Sequence, residues 1–93
     1  MSLLINEDLT ESLAQLPGWV YADNAIQKQL VFKDFLEAMA MMNSIALVAQ
    51  EMNHHPEWTN VYNKLTIRLT THDSGGVTSK DIRLALAIEV ILK

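Results

Sequence analysis

The 93-residue chain has no cysteine, which removes disulfides, thiol nucleophiles and thiolate metal sites together. Basic residues are in the minority. Seven Lys and Arg against eleven Asp and Glu give a formal net charge of -4 and an isoelectric point near 5.1. Without a basic field to attract phosphate backbones, direct nucleic-acid binding is not expected as the main activity. Residues 1–9 lack a basic stretch followed by an apolar core, so no signal peptide is expected. No apolar run approaches bilayer-spanning length, so no membrane span is expected and a cytoplasmic location is the default. Repeats, linkers and low-complexity segments are missing as well. There is no activated-serine arrangement and no glycine-rich phosphate loop before a helix; Gly75-Gly76 reads as a turn.

What is abundant is apolar surface. The hydrophobic share is 49% and the mean hydropathy +0.09, high for a chain that has room for one small domain, residues 1–93. Such a domain buries a modest fraction of its surface, so a second copy is expected to cover part of the surplus. A homo-oligomer follows, a dimer or a tetramer.

Asn6 or Asp8 can cap a first helix that carries Leu9, Leu13 and Leu16 on one stripe, and Pro17-Gly18 ends it. Trp19, Val20 and Tyr21 read as a strand, with a turn at Asp23-Asn24. A second strand follows, in which Ile26, Lys28, Leu30 and Phe32 alternate with Gln27, Gln29 and Val31. Asp34 opens the longest helix, residues 34–53, with Phe35, Met39, Met42, Ile45, Ala49 and Met52 in one stripe. That helix is apolar around most of its circumference, so one face is expected on the sheet and the other against partner helices. Pro56 is expected to stop it. Residues 58–62 and 65–71 are two more strands around a turn at Asn63-Lys64, and Leu65, Ile67 and Leu69 alternate with Thr66, Arg68 and Thr70. Residues 73–76 read as a flexible turn. Thr78 caps the last helix, with Asp81 at capping-box spacing and Leu84, Ile88, Ile91 and Leu92 as its core side. The expected fold is a small single α+β domain: a four-stranded antiparallel sheet with three helices packed on one face, in the order α-β-β-α-β-β-α.

All the histidines of the chain fall within residues 50–72: His54 and His55 before Pro56, and His72 beyond the second hairpin. Imidazole is the side chain whose ordinary titration lies nearest working pH, so a cluster of three is a candidate proton-transfer site. Adjacent residues of a regular helix point about 100° apart, so His54 and His55 share a pocket only where the helix is already unwinding. A hairpin returning His72 to the same end would complete a three-imidazole cleft. Three histidines with an open fourth position are also a known zinc arrangement, but this spacing is not that of a common zinc motif. Metal-free general acid–base chemistry, with one ring protonated and another neutral, suits the residues better.

Around these residues the chain resembles the pterin-4a-carbinolamine dehydratases. The family pattern is met by His54-His55-Pro56, Tyr62, His72 and Asp81, and Glu57-Trp58, residues 60–64, residues 71–73 and Gly75-Gly76 agree as well. Outside the motif, Gly18-Trp19, residues 32–35 and the last helix also match, so the resemblance covers nearly the whole chain. One position departs. The family has a charged residue four before the first histidine, where this chain has Gln50, which can hydrogen-bond a pterin or an imidazole but carries neither charge nor proton.

The resemblance implies a hydro-lyase acting on 4a-hydroxytetrahydropterin. It would release water to give quinonoid dihydropterin without metal or cofactor, in support of an aromatic amino acid hydroxylase. It implies that His54, His55 and His72 form the acid–base set. Trp19 and Pro56 would be walls for the pterin, Thr71 and Asp73 bonds to its polar edge, and Asp81 a group that orients His72. Core packing for Trp19 and helix capping for Asp81 are equally good readings of those two residues. Relatives of this kind associate as dimers through sheet edges and tetramers through helices. Two other readings stay open: an interaction protein of the transcriptional coactivator type, and a dehydratase-like protein of another pterin pathway such as molybdenum cofactor metabolism.

Overall fold

The computed structural model describes residues 2–93. Its first helix, α1 (Asn6–Ala14), begins after Ile5, which offers no side-chain cap. The two expected caps lie inside it or at its first position, and Glu7 and Asp8 in the first turn favour the positive end of the helix dipole instead. Leu16, just beyond the helix, is buried, and Leu9 and Leu13 pack against the core beside it.

Strands β1 (Val20–Ala22) and β2 (Ala25–Val31) form an antiparallel hairpin. Asp23 and Asn24 at its tip both have positive φ, 51° and 62°. Two left-handed residues are what a tight hairpin of the native twist requires, and Asp and Asn tolerate that region best after glycine.

The long helix α2 (Phe35–Met52) starts at Asp34, whose carboxylate accepts from the Glu37 N–H at 2.9 Å. It ends at Met52 because Asn53 adopts the left-handed conformation (φ 51°, ψ 41°) and the His54 N–H reaches back to the Ala49 carbonyl at 3.1 Å. This six-to-one bond is the Schellman closure, so the stop lies at Asn53, ahead of Pro56. The buried positions of α2 are Ala38, Ile45 and Ala49, with Met41, Met42, Val48 and Met52 partly covered. Phe35, expected on the core stripe, is 45% exposed.

Strands β3 (Glu57–Val61) and β4 (Lys64–Leu69) form the second hairpin. Its turn is Tyr62-Asn63, one residue earlier than the asparagine-lysine pair suggests, with Tyr62 at φ 52°. Asn63 earns the position from outside the hairpin: its amide donates to the Phe32 carbonyl at 2.9 Å, and the Phe32 N–H donates to the Asn63 carbonyl at 2.8 Å. β4 ends at Leu69. Thr71 then forms an isolated bridge with Gly76, closing a 3-10 turn (His72–Ser74) in place of a loose loop. Gly75 in that turn has φ 79°, a region that costs a residue with a Cβ.

The last helix, α3 (Ser79–Leu92), carries the expected capping box between Thr78 and Asp81. The sheet runs β1-β2-β4-β3, antiparallel throughout. Leu65, Ile67 and Leu69 of the central strand β4 are fully buried. They share one core with Ile45 and Ala49 of α2 and Leu84, Ala85 and Ile88 of α3. The alternate residues Thr66 and Arg68 stand on the opposite, polar face. The expected order and the sheet covered by helices on one face are thus the observed architecture. Among the described residues no helix is long and apolar enough to cross a membrane.

Candidate active site

The Schellman closure of α2 aims the tandem histidines. By turning the chain at Asn53 it takes His54 and His55 off the helical spiral before Pro56 commits the backbone to β3. On the other side, β4 runs out at Leu69 and the 3-10 turn presents His72. The three imidazoles line one cleft of about 370 Å³, together with Thr71 and Asp73. Asn53, Thr70 and Lys80 complete its lining.

Each imidazole is held through Nε2, and each by a different acceptor. His54 Nε2 lies 2.5 Å from Asp81 Oδ1, with the His54 side chain 11% exposed and that of Asp81 fully buried. Asp81 Oδ2 accepts from the Thr71 hydroxyl and from the Thr78 N–H, both at 2.9 Å. The Thr71 and Thr78 hydroxyls are 2.8 Å apart, and the Thr78 oxygen also accepts from the Lys80 N–H at 3.3 Å. The donor count closes in one way: Thr71 donates to Asp81 and Thr78 donates to Thr71. A carboxylate only accepts, so Nε2 of His54 carries the proton on that side. Neutral His54 then has its lone pair on Nδ1, and its imidazolium form has a proton there to give.

His55 Nε2 is 2.8 Å from Gln50 Oε1, on the exposed side. Gln50 does not line the cleft and meets it only through His55. An amide presents an acceptor or a donor according to its rotation, so it leaves the His55 tautomer open where a carboxylate would fix it. His72 Nε2 is 2.7 Å from Glu57 Oε1, with the His72 side chain 76% exposed.

Several sequence expectations are corrected by this geometry. Asp81 is the partner of His54; the carboxylate beside His72 is Glu57, which motif spacing does not single out. Asp81 therefore combines capping with orientation, because the first turn of α3 packs against the end of α2. Trp19 is 4% exposed in the core, its indole N–H donating to Glu89 Oε2 at 3.0 Å. It is not among the cleft residues, so packing is the role its position gives. Pro56 is also absent from the lining; it sets the path from His55 into β3. The Thr71 hydroxyl is committed to Asp81 and Thr78, which leaves Asp73 as the exposed polar group of that pair. Lys80 was missed for lack of a sequence signal: it is a surface lysine until the Thr78 cap places it beside the histidines. Among the described residues, no three His, Asp or Glu side chains are grouped so as to share a metal ion.

With the geometry set out, comparison with known proteins is specific. Residues 2–91 match the family model for pterin 4 alpha carbinolamine dehydratase. A protein of Prochlorococcus marinus (strain MIT 9313), provisionally named a pterin-4-alpha-carbinolamine dehydratase, is 48% identical over 90 residues, covering 97% of this chain and 94% of the relative. One of Rhodopseudomonas palustris (strain BisB18), under the same provisional name, is 50% identical over 90 residues, covering 95% and 89%. The crystal structure of a transcriptional coactivator/pterin dehydratase from Brucella melitensis superposes with a TM-score of 0.95 at 38% identity, covering 99% of this chain and all of the other. The chain belongs to the pterin-4a-carbinolamine dehydratase family.

Proposed function

We propose that this protein dehydrates 4a-hydroxytetrahydropterin by histidine general acid–base catalysis. In that reaction the C4a–O bond breaks as a proton is delivered to the departing hydroxyl, and loss of the N5 proton forms the C4a=N5 double bond of quinonoid dihydropterin. Water is the other product, so no oxidant or reductant is consumed. The observation that carries the reading is the convergence of His54, His55 and His72 on one cleft, each ring tethered at Nε2. Rings held this way keep Nδ1 for a ligand, and a protonated and a neutral imidazole in one cleft supply both transfers. Asp73 and Lys80 line the same cleft and would bond the polar edge of the pterin. The pathway is tetrahydropterin recycling beside an aromatic amino acid hydroxylase, in the cytoplasm. Freshly generated carbinolamine, followed by ultraviolet absorbance with and without the protein, tests the activity. Acceleration supports it, and an unchanged rate with folded protein defeats it.

We infer in addition a homo-oligomer, dimer or tetramer. Leu36 and Leu47 on α2 are 76% and 75% exposed, and Leu86 and Val90 of α3 are exposed as well. Leucines so far out of the core on two helices are the surface a second copy would cover. The same surface, and the coactivator named for the Brucella melitensis structure, favour one second reading, an interaction protein. Inert wild-type protein that remains oligomeric would move that reading ahead.

A further inference from the structure

Glu57 opens β3 directly after Pro56, and its register places it opposite Arg68 of β4. Directly paired residues of an antiparallel ladder share a face, so both stand on the polar side of the sheet, away from the helices. The next relevant residue obeys the same alternation. Thr71 is buried toward Asp81 on the helix side, and His72, one residue on, emerges toward Glu57.

The carboxylate of Glu57 is divided between two partners. Oε2 accepts from Arg68 Nη1 at 3.0 Å, and Oε1 faces His72 Nε2 at 2.7 Å. Arg68 is itself fixed, since Nη2 donates to the Asp23 carbonyl at 2.5 Å in the β1–β2 turn. A relay thus runs from the tip of the first hairpin, through a guanidinium and a carboxylate, to the third imidazole of the cleft.

We propose that Glu57 is a positioning residue for His72: it fixes the ring orientation and holds the proton on Nε2, so that Nδ1 is the atom offered to the substrate. The proposal rests on the dehydratase reading of the cleft for its consequence on rate. His72 needs such a partner more than His54 does. His54 is enclosed, whereas His72 is mostly exposed and lacks the packing that would select one rotamer. A contact this open to solvent adds little to stability. Its effect is on orientation and tautomer, because a carboxylate accepts but cannot donate. Glu57 thereby does for His72, from the polar face, what Asp81 does for His54 from the core.

The test combines two-bond proton–nitrogen NMR of the His72 ring with the dehydration rate at saturating substrate, for wild type, Glu57→Ala, Glu57→Gln and Arg68→Met. In wild type the neutral form of the His72 ring is expected to carry its proton on Nε2. In Glu57→Ala the Nδ1–H tautomer emerges and the rate falls about 10-fold, short of the 10²–10⁴ that an acid or base itself supplies. Its thermal midpoint stays within about 5 °C of wild type, as for a solvated pair. In Glu57→Gln the single amide oxygen serves Arg68, which can only donate, so the NH2 group faces His72 Nε2 and tautomer and rate move as in Glu57→Ala; Arg68→Met, which leaves the carboxylate in place, falls between that variant and wild type. Identical His72 tautomer populations in wild type and Glu57→Ala would overturn the proposal, as would an unchanged rate despite an altered tautomer. If wild type fails to dehydrate the carbinolamine, the dehydratase reading falls, and the NMR comparison alone decides whether Glu57 holds His72.

Discussion

Replacing Asp81 with Asn separates its two roles, because the change keeps the shape and removes the charge. The asparagine has one acceptor oxygen, and the site decides which way it faces. Toward Oδ2 come two donors, the Thr71 hydroxyl and the Thr78 N–H; toward Oδ1 comes one, from His54. The amide oxygen therefore serves the two donors and its NH2 group faces His54 Nε2. That nitrogen must then accept, and neutral His54 is forced into the opposite tautomer, with Nδ1 protonated and no lone pair there. A histidine locked in the wrong tautomer loses about 10⁴ in rate where this has been worked out for a histidine–carboxylate pair; a loss of about 10²–10⁴ is expected here.

The stability cost is smaller. Hydrogen bonds to a charged acceptor contribute roughly 1.5–3 kcal/mol and neutral ones about 0.5–1.5. Demoting those of Thr71 and Thr78 costs on the order of 2 kcal/mol, a drop of about 8–16 °C in Tm for a domain of this size. Asp81→Ala is the contrast. It strips the buried His54 of its partner and breaks the capping box, at roughly 3–5 kcal/mol, against a total stability of about 5–14 kcal/mol. Circular dichroism melting and the ultraviolet dehydration assay measure both. A folded Asp81→Asn protein that dehydrates carbinolamine within threefold of wild type would refute the tautomer argument.

Thr78→Ala deletes the oxygen that caps α3 and should lower stability by about 0.5–2 kcal/mol, read as a fall in Tm. Trp19→Phe removes the indole bond to Glu89, which keeps its salt bridge to Lys28 at 2.8 Å; Tm should fall by about 4–8 °C with the dehydration rate unchanged. A rate loss of tenfold in Trp19→Phe would return that residue to the site. Leu36→Lys combined with Leu47→Lys should shift the protein toward monomer in light scattering, and an unchanged mass would remove these residues from the interface.

The features legible in the sequence are the local ones. Asp34 and Thr78 announce helix starts because a cap and its helix are neighbours in the chain. The alternation of Leu65, Ile67 and Leu69 gives the buried face of β4, and His54-His55 marks the unwinding end of α2. What escaped depends on elements meeting in space. Asp81 finds His54 only because α3 packs beside the end of α2, and Glu57 finds His72 only through the β3–β4 register and the bridge from Thr71 to Gly76. Trp19 carries an aromatic ring suited equally to a pterin wall and to a core; its burial against Glu89 is a tertiary fact. The Tyr62-Asn63 turn is set by the contacts of Asn63 with Phe32, 31 residues earlier, against the local preference of tyrosine.

The central claim is that three imidazoles on one cleft carry the proton transfers. The most direct test compares dehydration of fresh 4a-carbinolamine by wild type with that by His54→Ala, His55→Ala and His72→Ala, each first shown to be folded. Wild type is expected to accelerate the dehydration and every variant to be slower, by about 10²–10⁴ where the lost ring is the acid or the base. Rates in all three variants equal to wild type would contradict it.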